Sequence, residues 1–184
     1  MTTATSNPAP ARLSLPRFIT ALLFALFLMP QTGRAQAAFD TESEELVAVQ
    51  RMINETFPDI EAQLKTGKPL PPQATLIMAD DSLGSVDLAT PEKLSGTESK
   101  VAALKEELSI GALKGTYKAV AIFYDTTVAN PETGVMTRAI AIFAEHTNDD
   151  FAYLFYYPYR VTAKKTVEFG TSFGDFAPQE MYKP

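Results

Sequence analysis

The 184-residue sequence contains no cysteine. That excludes disulfides, thiolate nucleophiles, cysteine-ligated zinc and cysteine-held iron–sulfur clusters, so a fold outside the cell would rest on its core alone. Histidine is nearly as scarce, with His146 the single example. Any Ser-His-Asp triad would have to pass through it. Basic residues are scattered, and no cluster exceeds Lys164-Lys165. Phosphate backbones and anionic bilayers are held by basic surfaces, so neither nucleic acid nor a membrane surface is an expected partner. A glycine-rich phosphate loop, a dinucleotide fingerprint and a zinc-protease helix are also missing. The expectation is no cofactor and no metal.

What is present begins at the N-terminus. Arg12 and Arg17 precede an apolar run from Phe18 to Met29, Pro30 breaks it, and Ala35-Gln36-Ala37 supplies a small-x-small exit. This is the order of a secretory signal peptide, read over residues 1–37 with cleavage after Ala37. The apolar run is about half the length that crosses a hydrocarbon core, which disfavours a permanent anchor. Losing that segment removes three arginines and no acid, which moves the formal charge from −6 to −9. Residues 38–184 are expected to form one soluble domain, periplasmic or secreted, free of the membrane after cleavage. Without a cysteine at the cleavage site, lipoprotein anchoring is excluded.

The first element of that domain reads as an amphipathic helix. Thr41 and Glu44 form a capping box, and Leu46, Val49, Ile53, Phe57, Ile60 and Leu64 make one stripe. Pro58 predicts a kink or restart near Phe57, and Gly67 an end. A short hairpin follows, Ala74 to Ala79 and Ser85 to Leu88, and then a polar loop over residues 89–96. A second helix from Thr97 or Ser99 carries Val101, Leu104, Leu108 and Ala112 on one side. The last third reads as a meander: Tyr117 to Ala129, Val135 to Thr147 and Phe151 to Thr162, with a short edge segment at Thr166 to Phe169. From Gly170 the chain predicts an irregular flap. The fold class is thus α+β: a five-stranded antiparallel sheet in the order α-β-β-α-β-β-β, with the outer strands of hairpin and meander adjacent and helices packed on it.

Simple hairpin registers pair Ala129 with Val135 and Thr147 with Phe151. One face then carries Val120, Ile122, Tyr124, Ile140, Ile142, Ala144, Leu154 and Tyr156. The other carries Phe123, Asp125, Phe143, Glu145, Tyr153, Phe155, Tyr157 and Tyr159 among alanines. Half-buried antiparallel sheets alternate apolar and polar sides. Here both sides are apolar, so the second is covered by a helix or the C-terminal flap, or else it meets a partner. On the second reading, Phe123, Phe143, Tyr153, Phe155, Tyr157 and Tyr159 form an aromatic binding face for a protein partner or a homodimer. The element order resembles profilin-like and roadblock-type domains, and Pro158-Tyr159-Arg160 with Glu168-Phe169-Gly170 resembles small uncharacterised bacterial α+β proteins. The first resemblance implies a topology and the second no activity.

Candidate chemistry is thin. His146 with Glu145 or Asp150 is the best acid–base group, though a lone histidine at a strand end reads first as an exposed polar residue. Asp80-Asp81-Ser82 and Asn148-Asp149-Asp150 read as turns rather than calcium loops, since neither has the spaced ligand pattern. Asp125 and Glu145, at opposite ends of neighbouring strands, are roughly 20 Å apart at 3.3 Å per residue, too far for a glycosidase pair. Arg138 and Arg160 read as cross-strand neighbours, each expected to take an acid. The leading expectation is an exported, non-catalytic interaction protein of inhibitor or immunity type. The alternatives are a small envelope hydrolase using His146 with Glu145 or Asp150, and a ligand-sensing profilin-like module with an apolar cavity between sheet and helix.

Overall fold

The structure is a computed structural model, described here for residues 43–86 and 94–183. The signal-peptide reading, Thr41 and most of the 89–96 loop lie outside the described residues. Helix α1 spans Glu44–Lys65. Its cap is Ser43, whose hydroxyl accepts the Leu46 N–H at 3.2 Å. Val49, Ile53, Ile60 and Leu64 of the expected stripe are buried, joined by Met52 and Thr56. Pro58 sits on the exposed side and the helix runs through it without ending. Gly67, at φ 72°, takes the left-handed position that closes the last turn.

A hairpin of β1 (Gln73–Met78) and β2 (Leu83–Val86) leads to α2 (Thr97–Leu113). The four apolar residues expected along α2 are the four it buries: Val101, Leu104, Leu108 and Ala112. The meander follows as β3 (Tyr117–Ala129), β4 (Met136–His146) and β5 (Ala152–Val161). Beyond it lie β6 (Val167–Phe169) and β7 (Phe173–Ala177).

The sheet is antiparallel with seven strands rather than five, in the order β2-β1-β3-β4-β5-β6, and β7 also pairs with β5. The expected count fails at the C-terminal flap. Phe173 and Phe176 are three residues apart, so they fall on opposite faces and no alternating pattern marks the strand.

The meander's registers also differ from expectation. Ala129 pairs with Met136 and Ala144 with Tyr153. Each turn takes one more residue from β4 than a simple hairpin would: Val135 enters the first and Thr147 the second. A one-residue slip exchanges a strand's faces. Only β4 is exchanged, because β3 and β5 keep theirs.

Each face has its own helix. Beneath α1 lie Ala119, Ala121, Phe123, Ile140, Ile142, Ala144, Tyr153 and Tyr159. Beneath α2 lie Ala74, Leu76, Val120, Ile122, Phe143 and Ala152, closed by Met181 from the C-terminal segment. Burial of this kind stabilises by about 1.5–3 kcal/mol per large aliphatic side chain, so two covered faces make a double-layered core without cross-links. No described helix is long and apolar enough to cross a membrane.

Candidate functional site

The acid–base candidates end β4, and the alternation of a strand separates them. Adjacent side chains point to opposite faces, so Glu145 faces the α2 side and His146 the α1 side. Glu145 is fully buried. Its carboxylate accepts N–H bonds from Glu180 at 2.6 Å, Met181 at 3.0 Å and Tyr182 at 3.2 Å. Burial pushes its carboxyl above the usual range, and the three N–H donors oppose that shift. It is the anchor of a C-terminal strap. Gln179 donates to the His146 carbonyl at 2.9 Å, and the Tyr182 hydroxyl donates to the Tyr117 carbonyl at 3.1 Å.

His146 is buried, in contrast to the exposed position expected of it. Its Nδ1 accepts the Asn148 N–H at 3.2 Å, so the ring serves as an acceptor at the turn. Burial lowers its proton affinity, and the nearby Glu45, Asp149 and Glu44 charges work in the other direction. Asp150 is almost wholly exposed and pairs with Lys183 at 2.6 Å. The three candidates are thus a buried anchor, a buried turn acceptor and a surface ion pair.

Asp125 and Glu145 are placed on opposite faces, a correction to the shared face expected of them. Asp125 accepts the Tyr159 hydroxyl at 2.9 Å and pairs with Arg138, which lies over the Tyr159 ring at 5.0 Å. Arg160 pairs with Glu168 at 2.5 Å. Register sets Arg138 opposite Tyr159 rather than Arg160, so the two arginines face different sides, each with its acid. Among the described residues no three His, Asp or Glu side chains are grouped to hold a metal ion.

The expectation that no Gly-x-Ser-x-Gly elbow exists needs a correction at the level of sequence, because Gly170-Thr171-Ser172-Phe173-Gly174 matches the pattern. A nucleophile elbow needs a strand, a sharp turn and a helix. Ser172 instead lies exposed between β6 and β7, two strands. Extending the registers sets Ser172 level with Tyr157, while His146 is level with Phe151. Six residues of strand separate those levels, roughly 20 Å. The motif and the sole histidine do not meet.

The aromatic face is divided. Phe143 moves to the α2 side with β4, where Lys105 lies over its ring at 3.5 Å. Phe123, Tyr153 and Tyr159 are buried on the α1 side, and Phe155 and Tyr157 are half-buried there. Tyr157 meets Phe57 edge to face at 4.7 Å between centroids. Phe176 joins Phe151 at 4.5 Å and Tyr153 at 5.8 Å, so β7 closes part of the same layer. Most of the residues expected to bind a partner are thus packed in the protein's own core.

The polar groups with unspent bonding capacity are elsewhere. A cleft of ≈ 350 Å³ opens between α1 and the β1–β2 hairpin at the sheet's edge, walled by Glu55, Thr56 and Asp59 and floored by Gln73, Thr75 and Ser85. Glu55 and Asp59 stand one helical turn apart, both exposed, and no described cation lies within ion-pair distance of either. At the back, the buried Thr56 hydroxyl is 2.8 Å from the Met52 carbonyl and 2.6 Å from the Thr75 hydroxyl. A hydroxyl has one proton, and a carbonyl only accepts. Thr56 therefore donates to Met52, and Thr75 donates to Thr56. The Thr75 oxygen keeps its acceptor capacity in the cleft. Residue periodicity places Thr56 and Glu55 on a helix but gives no sign that they meet a hairpin twenty residues on.

No protein-family model, no curated protein and no solved structure matches the chain.

Proposed function

We propose that the chain is an exported, non-catalytic binding protein of the inhibitor or immunity type. One observation carries this reading: the residues that would do acid–base chemistry are consumed in holding the fold, while a cleft at the sheet edge keeps carboxylates with no ion-pair partner among the described residues, and open acceptors. Glu145 is committed to three backbone N–H groups and His146 to a turn. Glu55 and Asp59 have no such commitment, and Thr75 has acceptor capacity to spare. The acidic balance after loss of residues 1–37 suits a basic target, because opposite charge raises the association rate.

The test is cross-linking in intact producing cells followed by purification from the periplasmic fraction. The expected result is a stoichiometric complex whose yield falls as salt is raised. A protein that stays monomeric, with no cross-linked partner at any ionic strength, overturns the reading.

A further inference from the structure

The β1–β2 hairpin ends the sheet, and among the described residues no strand pairs with the outer side of β2. Its backbone phase follows from one bond. The Met78 N–H donates to the Ser82 carbonyl at 2.8 Å, so the main-chain groups of Met78 and Leu76 face β2, and those of Ser82 and Gly84 face β1. Alternation turns the N–H and C=O groups of Leu83 and Ser85 outward. The side chains of those same two residues lie on the α1 face, lining the cleft. A strand edge left unpaired by the described residues and an acceptor-lined cleft thus share the same residues. A strand added to that edge would carry alternate side chains into the cleft.

The cleft chooses which side chains. Glu55 and Asp59 are negative, and the Thr75 oxygen has acceptor capacity only. The Gln73 amide and the Ser85 hydroxyl also line the cleft and can each donate or accept. Donors with positive charge fit this set, and a carboxylate would meet repulsion from two sides. We propose that β2 is a strand-addition site for an extended basic segment of a partner protein, whose lysine or arginine side chains enter the cleft between Glu55, Asp59 and Thr75. This deepens the binding-protein reading and rests on it.

The test uses the protein as its producing host processes it and a fluorescent ten-residue peptide of alternating lysine and valine, read by anisotropy. The expected result is saturable binding. A glutamate–valine peptide should bind at least about tenfold more weakly, as should the lysine peptide N-methylated at alternate backbone positions, which removes its edge donors. The double variant Glu55→Gln/Asp59→Asn, whose sites are exposed and whose melting temperature should be unchanged, should lose about tenfold. Glu106→Gln/Glu107→Gln, which neutralises two exposed acids on α2, should stay within about twofold, separating a site from general charge attraction. The proposal falls if the lysine peptide does not bind, if backbone methylation has no effect, or if both double variants weaken binding equally. A cross-linked partner retained by Glu55→Gln/Asp59→Asn would sink the cleft and leave the binding-protein reading standing. Absence of any cross-linked partner with the wild-type protein would sink both.

Discussion

At the residue scale, Glu145 and His146 show how little a residue's type says without its surroundings. Both were legible as titratable groups at a strand end. Their separation followed from simple alternation, but their roles depended on a C-terminal strap that no local pattern announced. Glu145→Ala should leave three main-chain donors without their acceptor and cost about 2–4 kcal/mol, measured by urea denaturation. Glu145→Gln should recover only part of that, since an amide offers one acceptor oxygen. The two groups also give opposite pH dependences. His146 is held below its ordinary value of 6.5 chiefly by burial, so the unfolded chain takes up its proton first. The stability it contributes is complete above pH 6.5 and is lost as pH falls through the lower folded value. Glu145 is raised above 4.5, again chiefly by burial. Its contribution is complete below pH 4.5 and is lost as pH rises through the folded value. Urea midpoints for the wild type and His146→Gln between pH 7.5 and 5 should therefore diverge in acid, the variant losing less. Parallel curves would mean that the histidine titrates alike folded and unfolded.

At the element scale, the strands were legible because alternating β-branched and aromatic residues mark them, and β3 occupies the span that pattern predicts. The face of β4 was not, since that depends on the turns at its two ends. Asn130 accepts the N–H groups of Glu132 at 2.9 Å and Thr133 at 3.0 Å, and its own N–H reaches the Val135 carbonyl at 2.9 Å. That closed loop draws Val135 out of the strand, and β4 turns over. The junction of α2 and β3 allows a sharper test. A Cβ on Gly111 would lie 2.6 Å from the Tyr117 hydroxyl oxygen, where Tyr117 donates to the Leu108 carbonyl. Gly111→Ala gains helix propensity yet should destabilise by about 1–3 kcal/mol, because the ring must leave its seat. The double variant Gly111→Ala/Tyr117→Leu should recover part of the loss, read as a non-additive cycle in thermal melts. At β7, a Cβ on Gly174 would meet the Leu154 carbonyl oxygen and Phe155 Cδ1, both at 3.0 Å. Gly174→Val should loosen this strand first, visible as faster amide exchange from Phe173 to Ala177 and little change in β3.

At the scale of the whole molecule, a cysteine-free chain stays folded by covering both sides of one sheet. The apolar character of both faces was legible, and it posed the question of cover. The answer lay in long-range docking, α1 on one side and α2 with the C-terminal strap on the other, which sequence periodicity does not encode. The same covering packs most of the aromatic face into the core, so the partner site we propose lies instead at the sheet's β2 edge and its cleft. Export is what would bring such a partner within reach. The proposed leader makes a defined prediction: intact-mass measurement of the protein from the periplasm should find a chain beginning at Ala38 and carrying a formal charge of −9. Ala37→Arg places a large cation where signal peptidase takes a small residue, so it should block cleavage and hold the precursor at the membrane. A cut moved one residue on, after Ala38, would be resolved by the same mass measurement. A full-length species beginning at Met1 in the cytosol would remove the exported setting, while the geometry of the cleft, being a property of the folded domain, would still predict binding of the lysine peptide.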